Sequence, residues 1–214
     1  MTNGIRYNPT AALTFLDDER VAAMRDKVLA ARDEALADVE LMSSGNSIPA
    51  EKQPLDAGFI NLPAELLEEH QSSGNDSFVG NITQAATELR ERIDRFVVLG
   101  IGGSYMGARA LFEALCHPFH NELSRDNRDG VPRIHFEGNN LDNDVQRSLL
   151  ELLESQCTDA NGVAQRWGLT VISKSGGTLE TAVAFRLFRA ALERLYGADS
   201  AEARNCVIPV TGEQ

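Results

Sequence analysis

The fold is decided by the stretch Phe96-Val97-Val98-Leu99-Gly100-Ile101-Gly102-Gly103-Ser104-Tyr105-Met106-Gly107. An unbroken apolar run breaks on a glycine, and a Gly/Ser turn then leads into a helical pattern over Tyr105–Leu115. A run with no polar alternation reads as a strand buried on both faces. Three further short strand-like runs follow: Arg133–Phe136, breaking on Gly138; Leu169–Ile172, ending at Ser173; and Cys206–Val210. Their starts lie about 36–37 residues apart, with helical patterns over Asp142–Leu153 and Leu179–Tyr196 between them. Strands alternating with helices at this spacing require crossover connections. The expected fold is therefore α/β, a doubly wound parallel sheet.

In such sheets ligands bind beyond the carboxyl ends of the strands, where the strand order reverses. Two strand ends are loaded with Gly, Ser and Thr, those of the first and third runs. An order 2-1-3-4 places these two strands side by side and their loops in one crevice. The first loop, Gly100–Gly107, brings backbone N–H groups close to a ligand and adds the positive end of a helix. It departs from the dinucleotide fingerprint GxGxxG, because Tyr105 stands where the third glycine belongs. The second loop is Ser173-Lys174-Ser175-Gly176-Gly177-Thr178, running into Leu179-Glu180-Thr181. Three hydroxyls, an ammonium and a helix start suit the three oxygens and near-double charge of a phosphate monoester. Lys174 precedes the glycines, so this is no Walker loop. The bland alternative is a Ser/Gly turn with an N-cap residue.

Upstream, apolar residues recur every three to four positions from Ala11 to Leu41, which predicts a helix ending in the Ser43–Asn46 turn. A loop with Pro49, Pro54, Gly58 and Pro63 follows, then a helical stretch from Gly80 to Arg92. His70 reads as exposed, ahead of a Ser/Gly loop, and His135 as packed or paired within its strand. His117 and His120 read as a surface-loop pair, with no Cys, Asp or Glu cluster to complete a metal site.

The 214-residue length suits one sizeable domain or one and a half. The net charge of −12 argues against a nucleic-acid partner, and local dipoles and cations must overcome it wherever an anion binds. No window reaches the ~18 apolar residues of a membrane span. The amino terminus does not read as a signal peptide. Cys116, Cys157 and Cys206 are odd in number and far apart, which suggests a reducing, cytoplasmic compartment.

Taken together, Gly100–Gly107 within VVLGIGGSYMGARAL and Ser173–Thr181 within VISKSGGTLET resemble the two phosphate-side motifs of the glucose-6-phosphate isomerase family. Phe136-Glu137-Gly138-Asn139-Asn140 is similar to the second-strand end of bacterial members. The resemblance is dense from Arg95 to Glu213 and weaker over the helical front. It implies a sugar-isomerase (SIS) domain, a flavodoxin-like three-layer sandwich over 93–214, with a helical segment, 1–92, packing on it. It also implies that Ser173, Ser175 and Thr178 grip a sugar phosphate with Lys174 in the same loop, and that Gly103 and Ser104 line the sugar. Glu180 matches a carboxylate expected to orient a catalytic histidine. Read without the resemblance, Glu180 is an acid stabilised by the helix dipole. Gly177 departs from relatives that carry Thr or Ser.

The family's base, ring-opening histidine, arginine and late lysine come from later sequence, so the resemblance implies an amino-terminal half of a dimeric, cofactor-free enzyme. A non-catalytic SIS module that binds sugar phosphate is the alternative, and the long helical front favours the enzyme. A dinucleotide-dependent oxidoreductase with Glu137 on the ribose is a third reading. The missing third glycine and the hydroxyl-rich loop count against it.

Overall fold

A computed structural model describes residue 6 and residues 8–212. The ends of the expected segments 1–92 and 93–214, and Glu213 at the far end of the resemblance, lie outside the described residues. The chain divides into two compact units, 1–81 and 82–214.

In the first unit, α1 (Thr10–Leu13) and α2 (Asp18–Ser43) replace the single helix expected over Ala11–Leu41. The break falls where Asp17 turns extended and its carboxylate accepts the Arg20 N–H at 2.8 Å, capping α2. Asp18 and Glu19 then face the positive end of the α2 dipole. The expected apolar stripe is present in α2, yet Val39 is its one buried residue, and Met24, Val28 and Leu36 are exposed.

A third helix, α3 (Leu62–Ser73), occupies part of what reads as a Pro/Gly loop. Pro63 misleads here because it sits in the first turn, where its missing N–H costs nothing. His70 consequently lies in the last turn of α3 and is half-buried, not exposed. Its Nδ1 is 2.8 Å from Ser77 Oγ and 3.0 Å from the Gly74 carbonyl. Helix α4 (Phe78–Arg92) follows.

The second unit holds four parallel strands in the order β2-β1-β3-β4, as topology rules led us to expect. They are β1 (Arg95–Leu99), β2 (Arg133–Glu137), β3 (Trp167–Ile172) and β4 (Val207–Val210). Helices α5 (Gly103–Leu115), α6 (Asn143–Gln156) and α7 (Leu179–Tyr196) make the crossovers, and the short α8 (Ala201–Asn205) precedes β4. Asp142 caps α6 by accepting from the Asp144 and Val145 N–H groups. Val97, Leu99, Leu169, Leu153, Phe188 and Leu192 are wholly enclosed between sheet and helices. Gly168 is required because a Cβ there would lie 2.8 Å from the carbonyl oxygen of Cys206, the residue before β4. None of the helices among the described residues is long and apolar enough to cross a membrane.

The amino end of the sheet is pinned by a buried carboxylate. Asp94 Oδ1 accepts from Arg125 at 2.9 Å and Arg128 at 2.8 Å, and Oδ2 accepts from Arg133. The outer edge of β2 is closed by a side chain. Asn121 Nδ2 donates to the Ile134 carbonyl at 2.7 Å, and its Oδ1 accepts the Ile134 N–H at 2.8 Å, as a neighbouring strand would. His120 is buried rather than at the surface, its Nε2 3.1 Å from the Pro132 carbonyl and its ring edge-on to Phe112. His135 lies within β2, and burial, reinforced by Arg95 and Arg133, lowers its pKa to about 4.

Candidate functional site

The site begins where β1 ends. Gly100 N–H donates to the Glu137 carbonyl at 3.1 Å, tying the turn to the end of β2. A Cβ on Gly100 would overlap the Ser104 carbonyl group, lying 2.9 Å from its carbon. Gly102, at φ +57°, is the N-cap of α5, so the helix starts at Gly103, two residues before the expected Tyr105. Ser104 is half-buried in its first turn. Tyr105 is buried, its ring edge-on to Phe136 of β2 at 5.7 Å. An aromatic ring thus fills the place where a dinucleotide turn needs glycine for close helix–strand approach. Glu137 is only 2 % exposed, and burial pushes its carboxyl pKa up, so it is no open carboxylate for a ribose.

The second loop leaves β3. Ser173 N–H donates to the Val210 carbonyl at 3.0 Å, and Ser173 Oγ accepts the Gly176 N–H at 3.1 Å. Ser175 Oγ accepts the Gly177 N–H at 3.2 Å. These bonds curl the chain so that Gly176 needs φ +67°. Thr178 is the N-cap of α7 but makes no side-chain capping bond; its Oγ1 lies 3.4 Å from Ser173 Oγ. The loop is therefore not explained by capping. A Cβ on Gly177 would meet only Ser175 Oγ, at 3.8 Å, so this position has room for the side chain it lacks. Lys174 and Ser175 are exposed, Ser173 and Thr178 half-buried.

Leu99 and Val171 are register partners, so the two loops leave adjacent central strands on the same side, where the order reverses. Gly103 and Ser104 thus follow β1, and Ser173, Lys174, Ser175 and Thr178 follow the neighbouring β3, at the same end of the sheet. Glu180 is half-buried in the first turn of α7, and its carboxylate has no hydrogen bond or ion pair among the described residues.

A cleft of about 390 Å³ opens beside the second loop, lined by Ser173, Gly176 and Thr178 and also by Thr181, Arg186 and Arg189 of α7. The sequence reading missed these last three. Their signal is helical spacing, since Thr181, Ala182, Arg186 and Arg189 follow Thr178 on one face of α7. A larger cavity, about 600 Å³, runs along the outer edge of β2 and is lined by no residue of either loop. Among the described residues no group of three or more His, Cys, Asp or Glu could hold a metal ion.

No protein-family model matches the chain. The glucose-6-phosphate isomerase of Shouchella clausii is 36% identical over 200 residues, covering 94% of this chain and 38% of that protein. The enzyme of the same name from Acetivibrio thermocellus is 34% identical over the same shares. By sequence, the chain is a relative of the glucose-6-phosphate isomerases. It spans about two fifths of the length of these curated relatives, 38% in each case. A hypothetical protein from Thermus thermophilus aligns in structure over 92% of this chain and 38% of its own, at 19% identity and a TM-score of 0.49.

Proposed function

We propose that this chain is the phosphate-gripping, amino-terminal part of an enzyme that interconverts glucose 6-phosphate and fructose 6-phosphate, a step of glycolysis and gluconeogenesis. The observation that carries this reading is the pair of loops, Gly100–Ser104 and Ser173–Thr178, at the carboxyl ends of the adjacent strands β1 and β3. The relatives' name supports it. The second unit is read as a SIS domain. Ser173, Lys174, Ser175 and Thr178 hold the phosphate, and each charge-assisted bond adds roughly 1.5–3 kcal/mol net. Several such bonds outweigh the repulsion of an acidic protein. Gly103 and Ser104 line the sugar.

The reaction opens the ring and moves a proton between adjacent carbons through an enediolate. In this reading the base, the ring-opening acid and the stabilising cation come from outside this chain, and Glu180 orients the histidine. The full-length protein is read as a cytoplasmic homodimer that needs no cofactor. The same loops would also serve a non-catalytic module that only binds the sugar phosphate.

Fructose 6-phosphate or 6-phosphogluconate should raise the melting temperature of the 214-residue chain, by mass action on the folded state. A rise with NAD and none with either sugar phosphate would reject the reading. Turnover by this chain alone would show that its own residues include the base.

A further inference from the structure

Two parts of the chain line the cleft beside the second loop. One is the loop itself, through Ser173, Gly176 and Thr178; the other is the face of α7 that carries Arg186 and Arg189. The two arginines differ. Arg189 is committed, donating to Glu193 Oε1 at 2.8 Å with Asp199 3.8 Å away. Arg186 is exposed and has no hydrogen bond or ion pair among the described residues. In a chain of net charge −12, an unpaired guanidinium facing a hydroxyl-rich cleft is a positive end in search of an anion.

The face of α7 also carries Thr181, 1 % exposed, whose Oγ1 is buried with no hydrogen-bond partner. A buried hydroxyl without a partner is costly, and here it lines the same cleft. Helix geometry makes the reach feasible. Arg186 is eight residues beyond Thr178, about 12 Å along the axis, and long helical side chains lean toward the amino terminus, which shortens that distance.

We infer that Arg186 is a further anion-binding residue of this cleft, supplying a second cation, besides Lys174, to a phosphate group seated on the Ser173–Thr178 loop. The inference rests on the phosphate-loop reading above. Arginine suits the task because its planar fork grips phosphate oxygens in pairs and never deprotonates.

The test titrates the 214-residue chain with inorganic phosphate and with fructose 6-phosphate at low ionic strength, by calorimetry. Arg186→Gln should weaken both about five- to tenfold, leave the ligand-free melting temperature unchanged, and lose part of that deficit as sodium chloride is added. Arg186→Lys should recover part of the affinity. Equal affinities for wild type and Arg186→Gln would overturn the inference. A Ser175→Ala/Thr178→Ala variant separates the two levels. If it loses binding while Arg186→Gln does not, the loop reading stands and Arg186 falls. If it binds as tightly as wild type, the loop is not the site and both fall.

Discussion

The two glycine-rich loops look alike as strings of residues and differ in what holds them. In Gly100–Ser104 the fold dictates the glycine. Gly100 has no room for a Cβ against Ser104, and its N–H is tied to Glu137. In Ser173–Thr178 the glycines face open space, with nothing within 4 Å of a Cβ on Gly176 and only a hydroxyl at 3.8 Å from one on Gly177. Packing explains Gly100 but not Gly102 or Gly103, and in the second loop the left-handed angle explains Gly176. Neither reason covers Gly177, and the loop's hydroxyls are accounted for by the phosphate proposed above. The comparison teaches that a glycine argues for a ligand only after the backbone around it has been searched for a steric reason.

The largest way to break this comparison is Gly100→Ala. The added methyl group overlaps backbone rather than a flexible side chain, so we expect a loss of about 3 kcal/mol or more, measured by urea unfolding. A loss below 1 kcal/mol would mean the first loop is no more packed than the second.

A second test lowers the pH. His135 sits on β2, the strand whose end anchors Gly100, and its pKa of about 4 is below the ordinary 6.5. The unfolded chain therefore takes up a proton that the folded chain refuses. Stability from this residue is intact above pH 6.5 and falls as the pH drops from there toward 4, by up to about 3 kcal/mol. His135→Gln should flatten that part of the curve; an unchanged slope would assign it to other groups.

The smallest effect sharpens the contrast at the open loop. Gly177→Thr should change stability by less than about 1 kcal/mol, since the side chain has room and the backbone needs no left-handed angle there. It should tighten phosphate binding severalfold by adding a hydroxyl. Unfolding of this variant would show that the loop is packed after all.

Much of the fold was legible because short strand-like runs at regular spacing, alternating with helical patterns, leave few alternatives to a parallel sheet. The four strands and the order β2-β1-β3-β4 follow from such runs and from right-handed crossovers. Helix α7 begins and ends where the periodicity places it, Leu179 to Tyr196. Other features depended on where a residue sat. Pro63 looked like a loop signal and proved to be a helix opener. His120 looked like a surface residue and is buried against Pro132 and Phe112. The stripe of α2 promised burial and is exposed at Met24 and Val28.

The opening stretch, Phe96–Gly107, determined by itself that a strand turns tightly into a helix, because an apolar run followed by glycines has few other physical outcomes. Ser173–Thr178 likewise showed by itself a cluster of hydroxyls and an ammonium of the kind that suits an anion. Only the tertiary structure decided that β1 and β3 are register partners with their loops at one end of the sheet, that Tyr105 packs on Phe136, and that Arg186 shares a cleft with Thr178. The reason is range. Turn chemistry and periodicity act over a few residues of chain, whereas a shared cleft depends on which strands pair and which helix face meets them.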